Sequence, residues 1–262
     1  MSWLSKLTKK VAIVAITATI NIVAQAQEKG NVYVAINEYN AQINVVAKVW
    51  EKGVVQNLTD GTNWGAEANS VFVSGKDVYV AGSEYNSVQE NTVAIVWKNG
   101  IAQNLPDINA YANAVFVLGN DVYVVGYKLS NGRYGGNNIA TIWKNGIVQN
   151  LTDKPTYGGA RANSVFVSGN NVYVVGNEEV REWKSGQNYD TYTIAKLWKN
   201  GVAQNLAISA YGAGANSVYV SSSDVYVAGY IEGRATVWKN GVVQNLTDKT
   251  HSASANSVFV VK

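Results

Sequence analysis

The 262-residue chain carries 21 lysines and arginines against 18 aspartates and glutamates, with no cysteine and a single histidine, His251. The absence of cysteine excludes disulfides, thiolate catalysis and Cys-ligated zinc, and one histidine excludes a multi-histidine metal site. The nominal charge of +3 comes from residues 1–26, where Lys6, Lys9 and Lys10 meet no acid; the rest balances at 18 basic and 18 acidic side chains, which argues against nucleic-acid binding by bulk charge.

Residues 1–26 read as a signal peptide. Lys6, Lys9 and Lys10 form a positive start, Val11 to Ala24 are mostly apolar, and Ala24-Gln25-Ala26 offers a small-x-small cleavage site, predicting a mature start at Gln27. As a helix the apolar stretch would rise only about 21 Å, short of a ~30 Å hydrocarbon core, so no membrane span is expected in the mature chain. The expected destination is the periplasm or the exterior, with packing alone stabilising the fold.

From residue 27 onward one sentence recurs five times: Ala-x-aliphatic-Trp, Lys-Asn-Gly (Glu-Lys-Gly in the first copy), two small or aliphatic residues, then Gln-Asn-Leu. Its tryptophans, Trp50, Trp97, Trp143, Trp198 and Trp238, are spaced by 47, 46, 55 and 40 residues. A second phrase lies between the copies, around Val71 to Gly82, Val115 to Gly126, Val165 to Gly176 and Val218 to Gly229. Such periodicity is the signature of a repeat architecture.

Each unit resolves into four short strands. Strand a (Val71-Phe72-Val73) and strand b (Val78-Tyr79-Val80) are β-branched or aromatic and joined at Gly75-Lys76. Strand c ends at Trp97-Lys98, and Asn99-Gly100 turns into strand d, Ile101 to Leu105; Asn-Gly between such runs is a strong hairpin signal because both central residues of a type I′ turn need positive φ. Strands a to c are apolar on both faces, while d, with its Gln and Asn, reads as a wet edge. The repeats begin at a strand b (Asn31 to Val34) with no a before it and finish on an a (Asn256 to Val260) with no b after it. The expectation is an all-β, five-bladed β-propeller in one domain, residues 27–262, with four antiparallel strands per blade and the ring closed by the C-terminal strand completing the N-terminal blade.

The a strand, short turn, aliphatic-Tyr-aliphatic b strand ending in glycine, variable loop and c–d hairpin with an aromatic together resemble a kelch repeat over residues 31–262. In blade number and repeat length the chain is also similar to five-bladed tachylectin-type sugar-binding propellers, a likeness of fold alone.

In an up-and-down blade the a–b and c–d turns share one face and the b–c and d–a connections share the other. The first set scarcely varies between copies and reads as scaffold, whereas the second varies in length and chemistry, as binding loops do on a rigid frame. Its b–c members run from about Asn37 to Ile43, Ser83 to Asn91, Tyr127 to Asn137, Asn177 to Asp190 and Tyr230 to Gly233. The candidate ligand-binding residues lie here. They are Trp64 and Tyr85 in the second unit; Tyr127, Arg133 and Tyr134 in the third; Tyr157, Arg161, Arg181, Trp183 and Tyr189 in the fourth; and Tyr211, Tyr230 and Arg234 around the fifth. All four arginines of the chain are in this set, and Tyr, Trp and Arg are the residues that dominate binding hot spots. The bland alternative is that long loops use aromatics to pack themselves down.

The repeated residues carry the opposite reading. The five repeated tryptophans are expected as wedges between sheets. Asn69, Asn113, Asn163, Asn216 and Asn256, each preceding a strand a, read as structural amides more than as a ligand ring, and Lys52, Lys98, Lys144, Lys199 and Lys239 as solubilising turn residues. Glu38, Glu84 and Glu178 follow strand b in three units, so a glycosidase-like convergence of carboxylates is conceivable, but a residue supplied by the repeat itself is more often a turn hydrogen-bonder. No nucleophile elbow, phosphate loop or ordered calcium loop occurs. The reading is a secreted, monomeric, non-enzymatic module without metal or cofactor that binds a glycan. The runner-up is an extracellular or envelope protein-interaction scaffold, with glycoside hydrolase as a remote third.

Overall fold

The computed structural model describes residues 31–130, 137–152, 158–185 and 188–261. These form nineteen strands and no helix. Five antiparallel sheets follow one another along the chain. The first holds β1 (Tyr33–Tyr39), β2 (Val45–Glu51) and β3 (Val54–Asn57); the second holds β4 (Ala66–Ser74), β5 (Asp77–Asn86), β6 (Asn91–Lys98) and β7 (Ile101–Asn104). The third comprises β8 (Ala110–Leu118), β9 (Asp121–Leu129), β10 (Asn138–Lys144) and β11 (Ile147–Asn150). The fourth comprises β12 (Gly159–Ser168), β13 (Asn171–Trp183), β14 (Tyr189–Lys199) and β15 (Val202–Ser209), and the fifth β16 (Ala213–Ser221), β17 (Asp224–Ile231), β18 (Arg234–Lys239) and β19 (Val242–Asn245). Every sheet pairs its strands in sequence order, so each is an up-and-down blade and the whole is a five-bladed β-propeller.

The c–d turns form for the reason the sequence suggests. Asn99 and Gly100 have φ of 52° and 80°, and Asn145-Gly146, Asn200-Gly201 and Asn240-Gly241 repeat those values within a few degrees. Each Asn also ties the turn to its own blade: Asn99 Oδ1 accepts from the Val78 amide at 2.8 Å while Asn99 Nδ2 donates to Asp77 Oδ1 at 2.8 Å. Lys98, Lys144 and Lys239 sit beside Asp77, Asp121 and Asp224 at 2.8, 2.8 and 2.7 Å and over the rings of Tyr79, Tyr123 and Tyr226. The turn lysines are therefore part of a scaffold clasp rather than free cations. Strand d is wet: β3, β7 and β19 are exposed along their whole length.

Strand a carries a β-bulge in each complete blade, where the register skips Asn69, Asn113, Asn163 and Asn216. A bulged residue has no partner across the ladder. Its amide is free to reach the next blade, and Nδ2 of Asn69, Asn113, Asn163 and Asn216 donates to the carbonyls of Ala112, Ala162, Ala215 and Ala255 at 3.0, 2.8, 2.9 and 3.0 Å. The structural reading of these asparagines is what the geometry shows. The bulge also explains the glycine ending strand b: a Cβ on Gly82 would stand 1.7 Å from the Glu67 carbonyl oxygen.

Core packing runs between blades. Trp97, Trp143, Trp198 and Trp238 are completely buried, each grouped with side chains of the preceding blade. Nearer the axis, one aromatic from each strand a touches the next, Phe72 to Phe116, Phe116 to Phe166, Phe166 to Tyr219 and Tyr219 to Phe259, with centroids 4.7–4.9 Å apart. Residues 252–261 hence occupy the place of a strand a after the fifth blade, and the Ala253 and Ala255 amides donate to Gly233 O and Gly229 O. No backbone hydrogen bond joins them to β1, so the first sheet has three strands. Its Asn37 takes the role that the bulged asparagine plays elsewhere, donating to Ala68 O and accepting from the Ala68 amide. Trp50, with no blade before it, is only half-buried.

Candidate functional site

The two faces separate as the connections require. At one end the a–b and c–d turns lock together; at the other the d–a segments bond to the b–c connections, as in Tyr85 N to Gly65 O, Leu129 N to Asn109 O and Glu232 N to Gly212 O, at 2.7–3.0 Å. The described candidate residues all lie on this second face. Arg133, Tyr134 and Tyr157, together with residues 1–26, expected as a signal peptide, fall outside the described residues.

Among the described residues, strand pairing extends into the b–c connections. The longest, expected over Asn177 to Asp190, is a β-ribbon in which Asn177 pairs with Ala195 and the ladder continues to Trp183 opposite Tyr189. One cross-strand bond braces it, Tyr192 Oη donating to Glu182 at 2.6 Å, and within β13 Arg181 Nη2 pairs with Glu179 at 2.9 Å. The ribbon carries Trp183 and Tyr189, edge-to-face at 5.0 Å and 58% and 49% exposed. Trp64, 75% exposed, faces the half-buried Tyr85 of the second blade at 6.3 Å. Tyr211 is more open still, at 85%. Arg234 is held near Glu232 at 3.6 Å.

A third cluster lies where strands a and b meet. Just before each bulge, the residue between two small residues faces the one after the strand-b glycine: Glu67 opposite Ser83, Tyr111 opposite Tyr127, Arg161 opposite Asn177, Gly214 opposite Tyr230. In the third blade the two tyrosines stack at 4.8 Å with planes 13° apart. The Arg161 guanidinium of the fourth blade lies 4.5 Å from the Tyr127 ring centre. In the fifth blade Gly214 leaves room for Tyr230, whose ring would stand 2.7 Å from any Cβ there. Burial raises the Tyr127 phenol above its ordinary range; Arg161 opposes that shift, and Tyr111 and Glu67 add to it. Glu67, Tyr111, Tyr127 and Arg161 thus share one electrostatic neighbourhood across three consecutive blades. Glu67 and Tyr111 were not among the sequence candidates. The signal that marks them is the single changing letter of the repeated phrase Ala-x-Ala-Asn, filled by Glu67, Tyr111, Arg161 and Gly214, and by Ser254 near the end.

The carboxylates that could suggest hydrolysis are engaged locally. Glu38 pairs with Lys48, Glu178 with Lys196 at 2.7 Å, and Glu84 accepts from Asn63 Nδ2 at 2.8 Å. Among the described residues no group of three or more metal-ligating side chains assembles. A groove of 670 Å³ between the third and fourth blades opens on the opposite face, lined by scaffold residues such as Tyr123, Lys144 and Asn200 that recur in other blades. The residues that differ between blades are elsewhere, so that groove is not the candidate site.

No family model matches the sequence, and no curated protein matches it. Solved structures with a similar fold include the β-propeller domain of the Trilobed protease from Pyrococcus furiosus, described as having an open velcro topology (10% identity, TM-score 0.45, 82% of this chain and 66% of that one). Others are a Mycobacterium tuberculosis puromycin-hydrolysing peptidase (10%, 0.49, 83% and 37%) and a Bombyx mori GH32 β-fructofuranosidase in complex with sucrose (13%, 0.37, 76% and 52%).

Proposed function

We propose that this propeller is a secreted, non-enzymatic binding module that recognises carbohydrate through the face bearing the b–c and d–a connections. The observation that carries the reading is the pair of open aromatic sites on that face, Trp64 with Tyr85 and Trp183 with Tyr189. An exposed indole flanked by a second ring offers a flat apolar surface for the C–H face of a sugar, while the phenol supplies a polar edge. A rigid, locally hydrogen-bonded ribbon holds Trp183 out at low entropic cost, which favours recognition. Secretion rests on the Lys-rich start, apolar run and Ala24-Gln25-Ala26 site of the sequence. The kelch-like affinity rests on the a–turn–b phrase. Hydrolysis is disfavoured because Glu38, Glu84 and Glu178 are each paired within their own blade.

The test is binding of residues 27–262 to a broad glycan panel beside the double variant Trp64→Ala, Trp183→Ala. Binding that the variant loses, with its melting temperature unchanged, supports the reading. Silence of the folded wild-type protein across the panel overturns it and transfers the face to a protein partner, to be sought by crosslinking.

A further inference from the structure

Arg161 is unlike the other described arginines. Arg181 pairs with Glu179, and Arg234 lies beside Glu232. Arg161 is exposed at the start of β12, and among the described residues no carboxylate pairs with it. Two neighbours nevertheless fix it. Its guanidinium carbon lies over the Tyr127 ring at 4.5 Å from the centre, and with the Asn138 amide oriented toward it, the Asn138 oxygen accepts from Nε at 2.8 Å and Nη2 at 3.1 Å. Those two bonds occupy one side of the guanidinium fork. Nη1 and the second Nη2 hydrogen are left directed away from Asn138, side by side in the plane, the arrangement that accepts a carboxylate through two parallel bonds.

Such a placement is costly for a residue with no task. An unpaired arginine on a surface ordinarily keeps its rotamer freedom. Here a tyrosine stack and an amide from another strand hold it in one orientation, which is preorganisation for a planar anion. The charge around it sets a limit. Glu67, across the tyrosine pair, contributes negative potential at Tyr127. A single carboxylate at Arg161 is compatible with that field, whereas a densely sulfated chain running over the row would meet Glu67.

We propose that Arg161, stacked on Tyr127 and oriented by Asn138, is a subsite for the carboxylate of an acidic sugar such as a uronic acid. This rests on the carbohydrate reading above and specifies its ligand class. Asn138 and Tyr127 are positioning residues, and Arg161 touches the ligand.

Calorimetry with residues 27–262 compares an oligogalacturonide, the neutral oligogalactoside of equal length, and a glutamate-rich peptide. The expected result is a preference of about tenfold or more for the acidic sugar, the range of a charge-assisted bidentate pair. Arg161→Gln should abolish that preference in a protein that still unfolds cooperatively. Arg161→Lys should keep part of it, and Asn138→Ala should weaken the acidic arm alone. Equal affinity for acidic and neutral sugars, or a preference that survives Arg161→Gln, overturns the subsite while the carbohydrate reading stands. Binding of the acidic peptide in place of either sugar overturns the sugar assignment, and binding of none of the three overturns both.

Discussion

The two unfinished ends of the blade array give the sharpest prediction. β1 lacks a neighbour on its inner edge, residues 252–261 sit where a strand a belongs after the fifth blade, and Phe259, 67% exposed, ends a chain of four aromatic contacts that begins at Phe72. Unpaired strand edges attract partners. Seating 256–260 on β1 would bring Phe259 to Phe72, make the fifth blade the predecessor of the first, and surround Trp50 as the other wedge tryptophans are surrounded. Trp198 is fully buried, so Trp198→Ala should cost about 3–5 kcal/mol. If the ring closes in solution, Trp50→Ala should cost the same; if the ends stay apart, a half-buried Trp50 should cost about half as much, roughly 1.5–2.5 kcal/mol. Urea unfolding followed by far-ultraviolet circular dichroism reads both as shifts of midpoint at constant slope. Deleting residues 252–262 should then reduce the penalty at Trp50 and leave that at Trp198 unchanged. A Trp50 penalty near half that of Trp198, indifferent to the deletion, would refute closure. Equal penalties that depend on protein concentration would show the strand exchanged between two copies instead.

Three further outcomes follow from the blades. Gly176→Ala places a methyl group 1.9 Å from the Arg161 carbonyl oxygen, a backbone clash, and should cost about 3 kcal/mol or more, whereas Gly119→Ala meets open space and should cost only the ~1–2 kcal/mol of its left-handed φ; differential scanning calorimetry compares them. Asn163→Ala removes a clasp between the fourth and fifth blades and should lose about 1 kcal/mol in the same assay, while the exposed Trp183→Ala should lose almost nothing. The Asp77, Asp121 and Asp224 carboxyls are held below their ordinary value of 3.8, chiefly by hydrogen bonds from Lys98, Lys144 and Lys239 and then from the turn asparagines. A depressed folded value means that this contribution is present above pH 3.8 and is lost as pH falls through the lowered values, so the triple Asn variant should have a flatter acid limb than the wild type, measured by melting temperature against pH.

The architecture was legible because the chain states it five times. Runs of β-branched and aromatic residues bounded by turn residues gave the strands, Asn-Gly gave the c–d hairpins with positive φ, and the wedge tryptophans were recognisable from recurring at one strand position; four of the five are fully buried. The b–c ribbon of the fourth blade was not legible as a ribbon. Its segment Glu178 to Trp183 is mostly charged and has no period-2 alternation, and only pairing against Tyr189 to Ile194 makes it a ladder. The asparagine clasps were legible as structural but not as links between blades, since the bulge that frees them is a property of register, which sequence spacing does not reveal.

The site called for a different reading of the same text. Searching the variable connections for aromatics and arginines finds Trp64, Trp183 and Arg161, but it passes over Tyr111 and Glu67, which lie inside the most repetitive phrase of the chain. In a repeat protein, packing demands the same residue at equivalent positions of every blade, because each blade meets its neighbour in the same way. A position that packing leaves free is therefore visible within one sequence as the letter that changes while its neighbours do not. In Ala-x-Ala-Asn the alanines are buried and the asparagine is committed to the next blade, so only x is released, and it holds an acid, a phenol, a guanidinium and a glycine in four successive blades. The pairing register then places each x opposite the residue after the strand-b glycine, and the stack of Tyr111, Tyr127 and Arg161 arises from three such slots meeting between two blades. Uniform residues hold the frame, and the departure from uniformity at one slot marks where this propeller differentiates one part of its face from the rest.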